Sequence, residues 1–234
     1  MAVTHSEFDH YAGFYEALLK DPIRDCFGGG GSNFFHRRRG DLIRGYFRRR
    51  GLKTHQLSYL DLGCGKGELL RLLRKDFGRL AGCDPSTEML DSAEGVDKTL
   101  QDDPERIPFG DAQFDLVTAA GVLHHVLPKS RLALVREVAR VLRPQGAFVV
   151  MEHNPYNPAT RLIVSRTPVD ANAILLPQRE TRQLLQAAGL SVAASRYFLF
   201  FPEFAYRHVG DSVEGWLRAL PLGGQYAVFG ENVR

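Results

Sequence analysis

Tyr59-Leu60-Asp61-Leu62-Gly63-Cys64-Gly65-Lys66-Gly67-Glu68 is the stretch on which the fold turns. Residues 56–62 read as a short buried strand, and residues 68–77 as a helix with Leu69, Leu72 and Leu73 on one face. Between them three glycines alternate with other residues. Glycine lets a backbone pass through positive φ and approach a ligand closely, because no Cβ intervenes. The first turn of the following helix carries unpaired N–H groups that suit an electronegative atom. The spacing is not that of the dinucleotide fingerprint, whose third glycine would fall at Glu68, and no Gly-Lys-Ser/Thr follows to make a P-loop.

Strands and helices alternate outward from this turn. Residues 79–84 read as a second strand, 86–94 as a helix, 98–101 as a third strand and 114–119 as a near-continuously apolar fourth. A helix over 130–142 is stopped by Pro144 and Gly146, and residues 147–152 form a fifth strand. Asn157-Pro158 opens a helix to about 165, residues 167–178 are irregular, and 179–188 are helical up to Gly189. Residues 191–201 and 225–231 are the last strands, with a helical piece over 202–219 between them. Upstream, 6–20 and 34–50 read as amphipathic helices separated by Gly28-Gly29-Gly30-Gly31, a hinge or mobile loop. The expectation is an α/β chain. Residues 1–52 form a helical cap, and residues 53–234 a mostly parallel sheet with helices on both faces. Segments 153–178 and 202–222 lie on the substrate side. Ligands in such sheets bind beyond the carboxyl ends of the strands. There lie the glycine turn, Asp84, Asp103, Ala120 and the run Glu152-His153-Asn154.

Composition narrows the class. The 234 residues are 44% hydrophobic, with a net charge of +3. Seven arginines crowd between Arg37 and Arg50, either as a solvated helix face or as a site for an anionic small substrate. No recognisable nucleic-acid module accompanies them, so nucleic acid is set aside as a partner. Three scattered cysteines form no metal-ligand or disulfide pattern, and no metal is expected. No signal peptide or membrane-length apolar run appears, which makes a reducing cytoplasm the expected compartment, with no membrane partner.

The order acid-x-Gly-x-Gly-x-Gly at 61–67 resembles motif I of the class I S-adenosylmethionine-dependent methyltransferases. Three further stretches resemble that family in order: Asp103-Pro-Glu105-Arg-Ile107-Pro108-Phe109 with Phe114-Asp115-Leu-Val117; Gly121-Val122-Leu123-His124-His125-Val126; and Arg140-Val-Leu142-Arg143-Pro144-Gln145-Gly146. The last departs from the usual Pro-Gly-Gly in a turn away from the ligand. Together they cover about residues 59–154, and they are similar to the type found in ubiquinone and menaquinone biosynthesis and in natural-product pathways. The resemblance implies a Rossmann-like sheet of seven strands with an antiparallel last strand, and S-adenosylmethionine as cofactor with S-adenosylhomocysteine as product. It places Asp61, Gly63, Cys64, Gly65 and Ala120 around the cofactor. Asp84, seventeen positions after Gly67, takes the ribose hydroxyls, or else caps the next helix; Pro85 and Met89 flank the adenosine, and Asp103 accepts the adenine amino group. Phe109 packs under the sheet, and Asp115 has a structural part.

A small-molecule acceptor methylated on oxygen is the expected substrate; the alternatives are a non-catalytic or partner-activated cofactor-binding module, or methylation on nitrogen or carbon. An oxygen nucleophile needs a base, and His153, His125 and His124 all follow strand ends, His153 being preferred. Tyr15 belongs near the methyl group, and Tyr11, Asn154 and Tyr156 on the substrate side. The sequence names neither the acceptor nor a choice between monomer and homodimer.

Overall fold

Apolar runs with both faces covered make the sheet. The computed structural model describes residues 7–29, 33–92 and 97–233, except for the side chains of residues 7, 207 and 209–212. β1 (Ser58–Leu62), β2 (Arg79–Asp84), β3 (Asp97–Leu100), β4 (Phe114–Ala120), β5 (Leu142–His153), β6 (Ser191–Phe198) and β7 (Gln225–Glu231) form one seven-stranded sheet in the order β3-β2-β1-β4-β5-β7-β6. The first five pair in parallel, and β7 runs antiparallel between β5 and β6. This is the Rossmann-like arrangement of the class I methyltransferase fold.

Side chains alternate across each strand, so each buried strand feeds two cores. Leu60, Val117, Phe148 and Val150 face α7 (Pro128–Val141) and α9 (Gln178–Ala187), meeting Leu134, Val138 and Leu185. Tyr59, Leu116, Val149 and Met151 face the other way, against α4 (Asn33–Arg49) and α5 (Glu68–Leu73), meeting Ile43, Phe47, Leu70 and Leu73. The upstream helix α4 thus shares the core of the sheet. Five of the seven arginines in 37–50 hold groups on other elements. Arg38 reaches Glu214 at 2.8 Å and Arg44 reaches Asp76 at 2.9 Å, while Arg37 pairs with Glu203, Arg50 with Glu231, and Arg39 with Gln225.

Several boundaries differ from the sequence expectation for physical reasons. The helix expected over 6–20 breaks at Gly13-Phe14 into α1 (Glu7–Ala12) and α2 (Tyr15–Leu18). α3 (Pro22–Gly28) is capped by Asp21, whose carboxylate accepts from Ile23 and Arg24 N–H, and Gly29 closes it at φ 64°. Gly30 and Gly31, like Ser6, fall outside the described residues. The helix expected over 86–94 is α6 (Thr87–Asp91), N-capped by Ser86, and residues 93–96 are again outside. β5 begins at Leu142, directly after α7, so Pro144 lies within the strand's first residues. Asn157 caps α8 (Pro158–Arg166) as its side chain suggested, accepting from Thr160 N–H at 2.9 Å. α10 (Glu203–Leu217) leads into β7. Among the described residues no helix is long and apolar enough to cross a membrane.

Candidate active site

Two cavities open at the carboxyl ends of β1, β2, β4 and β5, where the topology predicts a ligand. They share Tyr15, Gly63, Gly65, Ala120, Gly121 and His125. One, of about 270 Å³, runs toward Asp84, Pro85 and Met89. The other, of about 210 Å³, runs toward His124, His153, Arg39 and Asp170.

The glycine turn makes the shared wall. Gly63, Gly65 and Gly67 have φ of 67°, 51° and 76°. A Cβ at Gly63 would meet Val122 Cγ2 at 2.6 Å, whereas a Cβ at Gly65 would meet nothing within 4 Å and would project into open space. Asp84 fastens the turn. One of its oxygens accepts Gly65 N–H at 2.8 Å and the other accepts Ser86 N–H at 2.9 Å. Burial raises its carboxyl above the ordinary value, and those two N–H groups pull it back.

The sequence-predicted residues separate into three groups. Gly63, Cys64, Gly65, Asp84, Pro85, Met89, Ala120 and Tyr15 line the cavities, and so do His124, His125 and His153. Asp61 and Asp103 do not. Asp61 is buried behind the turn, where it accepts from Thr118 Oγ1 at 2.5 Å. Asp103 is exposed, and its Oδ1 accepts Glu105 N–H at 2.8 Å in a local turn. Gln101 and Pro104 line the larger cavity in its place. Tyr11, Asn154 and Tyr156 also fall outside both linings. Tyr11 packs edge-on to Phe8, and Tyr156 is 60% exposed. Asn154 is fully buried as a strap, donating to the carbonyls of Pro221 and Gly223.

The smaller cavity holds the strongest electrostatics. Glu152 Oε1 accepts Val122 and Leu123 N–H at 3.0 and 2.7 Å, and Oε2 meets His124 Nδ1. Burial alone would depress the His124 imidazole, but the Glu152 and Asp170 carboxylates overcome it and hold it at about 9. Burial, with the charge of His124, pushes His125 and His153 down to about 4. Burial next to Asp170 and Glu68 lifts the Tyr15 phenol to about 12. Burial, with Arg39 and Arg24 nearby, lowers His36 to about 3.

Sequence reasoning missed Asp170 and Arg131, and it placed Glu152 at a strand end and Arg39 in the arginine cluster without giving either a role of its own. Arg131 is 2% exposed; its Nε donates to the carbonyls of Leu123 and Val126, and its other nitrogens to Ile174 O and Glu180. With Ile174 N–H on His124 O at 2.8 Å, it locks the histidine loop to the segment carrying Asp170. Its signal, an arginine on the apolar stripe of 130–142, was present in the sequence.

Residues 60–150 match the family model described as Methyltransferase domain. The demethylmenaquinone methyltransferase of Thermotoga maritima is 34% identical over 114 residues, 45% of this chain and 48% of that protein. The chain spans about half the length, or less, of the curated relatives it matches. An S-adenosylmethionine-dependent methyltransferase from T. maritima superposes with TM-score 0.68 at 16% identity, over 96% of this chain and 98% of that one. A Haloferax volcanii chain in complex with the Trm112 methyltransferase activator gives 0.65 at 20% identity, over 99% and 100%. At those identities the two structures speak for the fold alone. The chain has the fold of the class I S-adenosylmethionine-dependent methyltransferases, and its residues 60–150 are similar to a methyltransferase domain.

Two features of the site suit S-adenosylmethionine, the cofactor that the sequence resemblance implies. The missing Cβ of Gly65 leaves a cradle at the junction of the cavities. His36 Nδ1, in the wall of the smaller one, is buried without a hydrogen-bond partner. A polar ligand group there would relieve a desolvation penalty of about 1–3 kcal/mol.

Proposed function

We propose that the chain transfers a methyl group from S-adenosylmethionine to an oxygen of a small-molecule acceptor. The observation that carries this reading is the pair of joined cavities, one ending on a strand-end carboxylate and the other on imidazoles. When bound, the cofactor supplies an electrophilic methyl group on a sulfonium. Asp84 holds the ribose hydroxyls, Pro85 and Met89 enclose the base, and the Gly63–Gly65 backbone takes the amino-acid end.

Arg39 gives the smaller cavity a cation. Its Nε donates to Gln225 Oε1 at 3.2 Å, and among the described residues no carboxylate pairs with it. A buried unpaired charge is unfavourable. Arg39 therefore suits a carboxylate or phosphate, brought by the amino-acid end of the cofactor or by the acceptor. Tyr15 closes the junction, which keeps water from the reacting groups. His153 lines the acceptor side, with no hydrogen bond to its imidazole among the described residues, and it takes the proton of the acceptor hydroxyl. Holding acceptor and methyl in line supplies most of the rate, roughly 7–11 kcal/mol.

Calorimetry tests the reading first: S-adenosylmethionine and S-adenosylhomocysteine should each bind one per chain, and no heat with either would end it. In an acceptor screen, His153→Ala should keep S-adenosylhomocysteine affinity within about twofold and lose about 100-fold or more in kcat. Full turnover in that variant overturns the base assignment.

The second reading is a module activated by a partner, as the Haloferax chain of like fold is held with an activator. It predicts cofactor binding without turnover until a partner is added.

A further inference from the structure

Three side chains in the acceptor cavity converge on one point. His124 and His125 come from the loop after β4. Asp170 comes from the 3-10 turn Pro168–Asp170, which follows α8. Asp170 Oδ1 lies 3.5 Å from His124 Nε2 and 3.4 Å from His125 Nε2. Both separations exceed the span of about 2.7–3.2 Å expected of an N–H···O bond. They match the edge of a coordination polyhedron: two ligands bonded at about 2.0–2.1 Å to one tetrahedral zinc stand about 3.3–3.4 Å apart. All three ligand atoms fall within 4.8 Å of one another.

The surroundings are built to hold these groups. His124 Nδ1 is bonded to Glu152, and Glu152 is anchored by two backbone N–H groups. A carboxylate behind an imidazole fixes the ring and raises its basicity, as at metal-binding histidines generally. Arg131 fastens the two loops that bring His124 and Asp170 together. The three groups also line a cavity, so a water or an acceptor oxygen can complete the coordination.

We propose that His124, His125 and Asp170 bind one divalent first-row transition ion, with Glu152 as the positioning residue behind His124. Two imidazoles and a carboxylate, without thiolate, suit Zn²⁺ and its neighbours in the series. The ion's use rests on the methyl-transfer reading: it holds the acceptor's oxygen beside Gly121 and lowers that oxygen's pKa. Its binding does not rest on that reading. The competing account is a protonated His124 bridging Glu152 and Asp170, which takes up no cation.

The test uses the full chain, stripped with a chelator and dialysed, then titrated with Zn²⁺ by calorimetry and with Co²⁺ by visible absorption. One equivalent should bind, Co²⁺ should show d–d bands, and the imidazole ¹⁵N resonances of His124 and His125 should shift with Zn²⁺ in the wild type. Asp170→Asn and His125→Asn should each weaken uptake at least tenfold, and Glu152→Gln by about 10–100-fold. Absence of uptake at millimolar ion overturns the site, and so does uptake undiminished in both ligand variants. S-adenosylhomocysteine binding is measured on the same samples. Metal uptake without nucleoside binding would sink the methyl-transfer reading and leave the metal site standing, and the reverse result would do the opposite.

Discussion

Asp84 and Asp61 are both buried carboxyls near the ends of neighbouring strands, yet they do different work. Asp84 holds the glycine turn with both oxygens and still faces the larger cavity. Asp84→Asn turns an amide NH₂ against one of those N–H groups. It should weaken S-adenosylhomocysteine binding by about 10–100-fold, the worth of a charge-assisted hydrogen bond, as calorimetry would read. Unchanged affinity would remove Asp84 from the cofactor site. Asp61 faces Thr118 in the core, and burial lifts its carboxyl from 3.8 to about 7. A raised carboxyl favours the protonated folded state, so its contribution to stability is lost as pH rises from about 4 to about 7. Asp61→Asn keeps an acceptor for Thr118 and removes that titration. Melting temperatures of wild type and variant should therefore diverge between pH 4.5 and 7.5, with the variant gaining on the wild type as pH rises. Parallel curves would show that the carboxyl titrates normally.

Among elements, the loop after β4 and the segment after α8 depend on one side chain. Arg131→Met removes donors from the buried carbonyl of Leu123 and the part-buried ones of Val126 and Ile174, and should cost about 2–4 kcal/mol, since an unpaired buried acceptor is expensive. Denaturant unfolding measures that loss, and limited proteolysis should find new cleavage near 121–127 and 170–176. Most elements were legible in the sequence, because apolar runs and caps are local signals. β2 and β7 fall on the expected residues, and Asn157 caps the helix that it was expected to cap. The wall of the larger cavity was legible for a similar reason: Gly63, Gly65, Asp84, Pro85 and Met89, expected together, sit at fixed distances from one turn and line it. The far end of the smaller cavity was less so. Asp170 lies in a stretch without periodicity, and only tertiary packing brings it to His124 and His125. Asp61 and Asp103 show the converse limit, since a sequence position does not say which way a carboxylate points. Asp61 turns to the neighbouring strand and Asp103 to its own backbone.

At the scale of the whole molecule, the arginines of α4 act as ties to the far end of the chain. Arg38 meets Glu214 on α10 at 2.8 Å and lies over the Tyr206 ring at 4.3 Å, while Glu214 also accepts Leu199 N–H. A double-mutant cycle with Arg38→Met and Glu214→Gln should return a coupling of roughly 0.5–3 kcal/mol. Additive effects would mean that the pair is incidental. The cluster that looked in the sequence like a solvated face or an anion site thus serves largely to tie α4 to α10, to β7 and to the turn after α5.

β7 lies between β5 and β6, although both precede it in the chain. A ribosome delivers residues in order, so the two earlier strands emerge with their facing edges bare and no neighbour to zip them. The parallel half, β1 to β5, can assemble as it appears; the antiparallel half has to wait for Gln225–Glu231. Vectorial synthesis therefore leaves this protein with a late, single-step completion. A chain stalled before that point offers two open edges to chaperones and to mispairing.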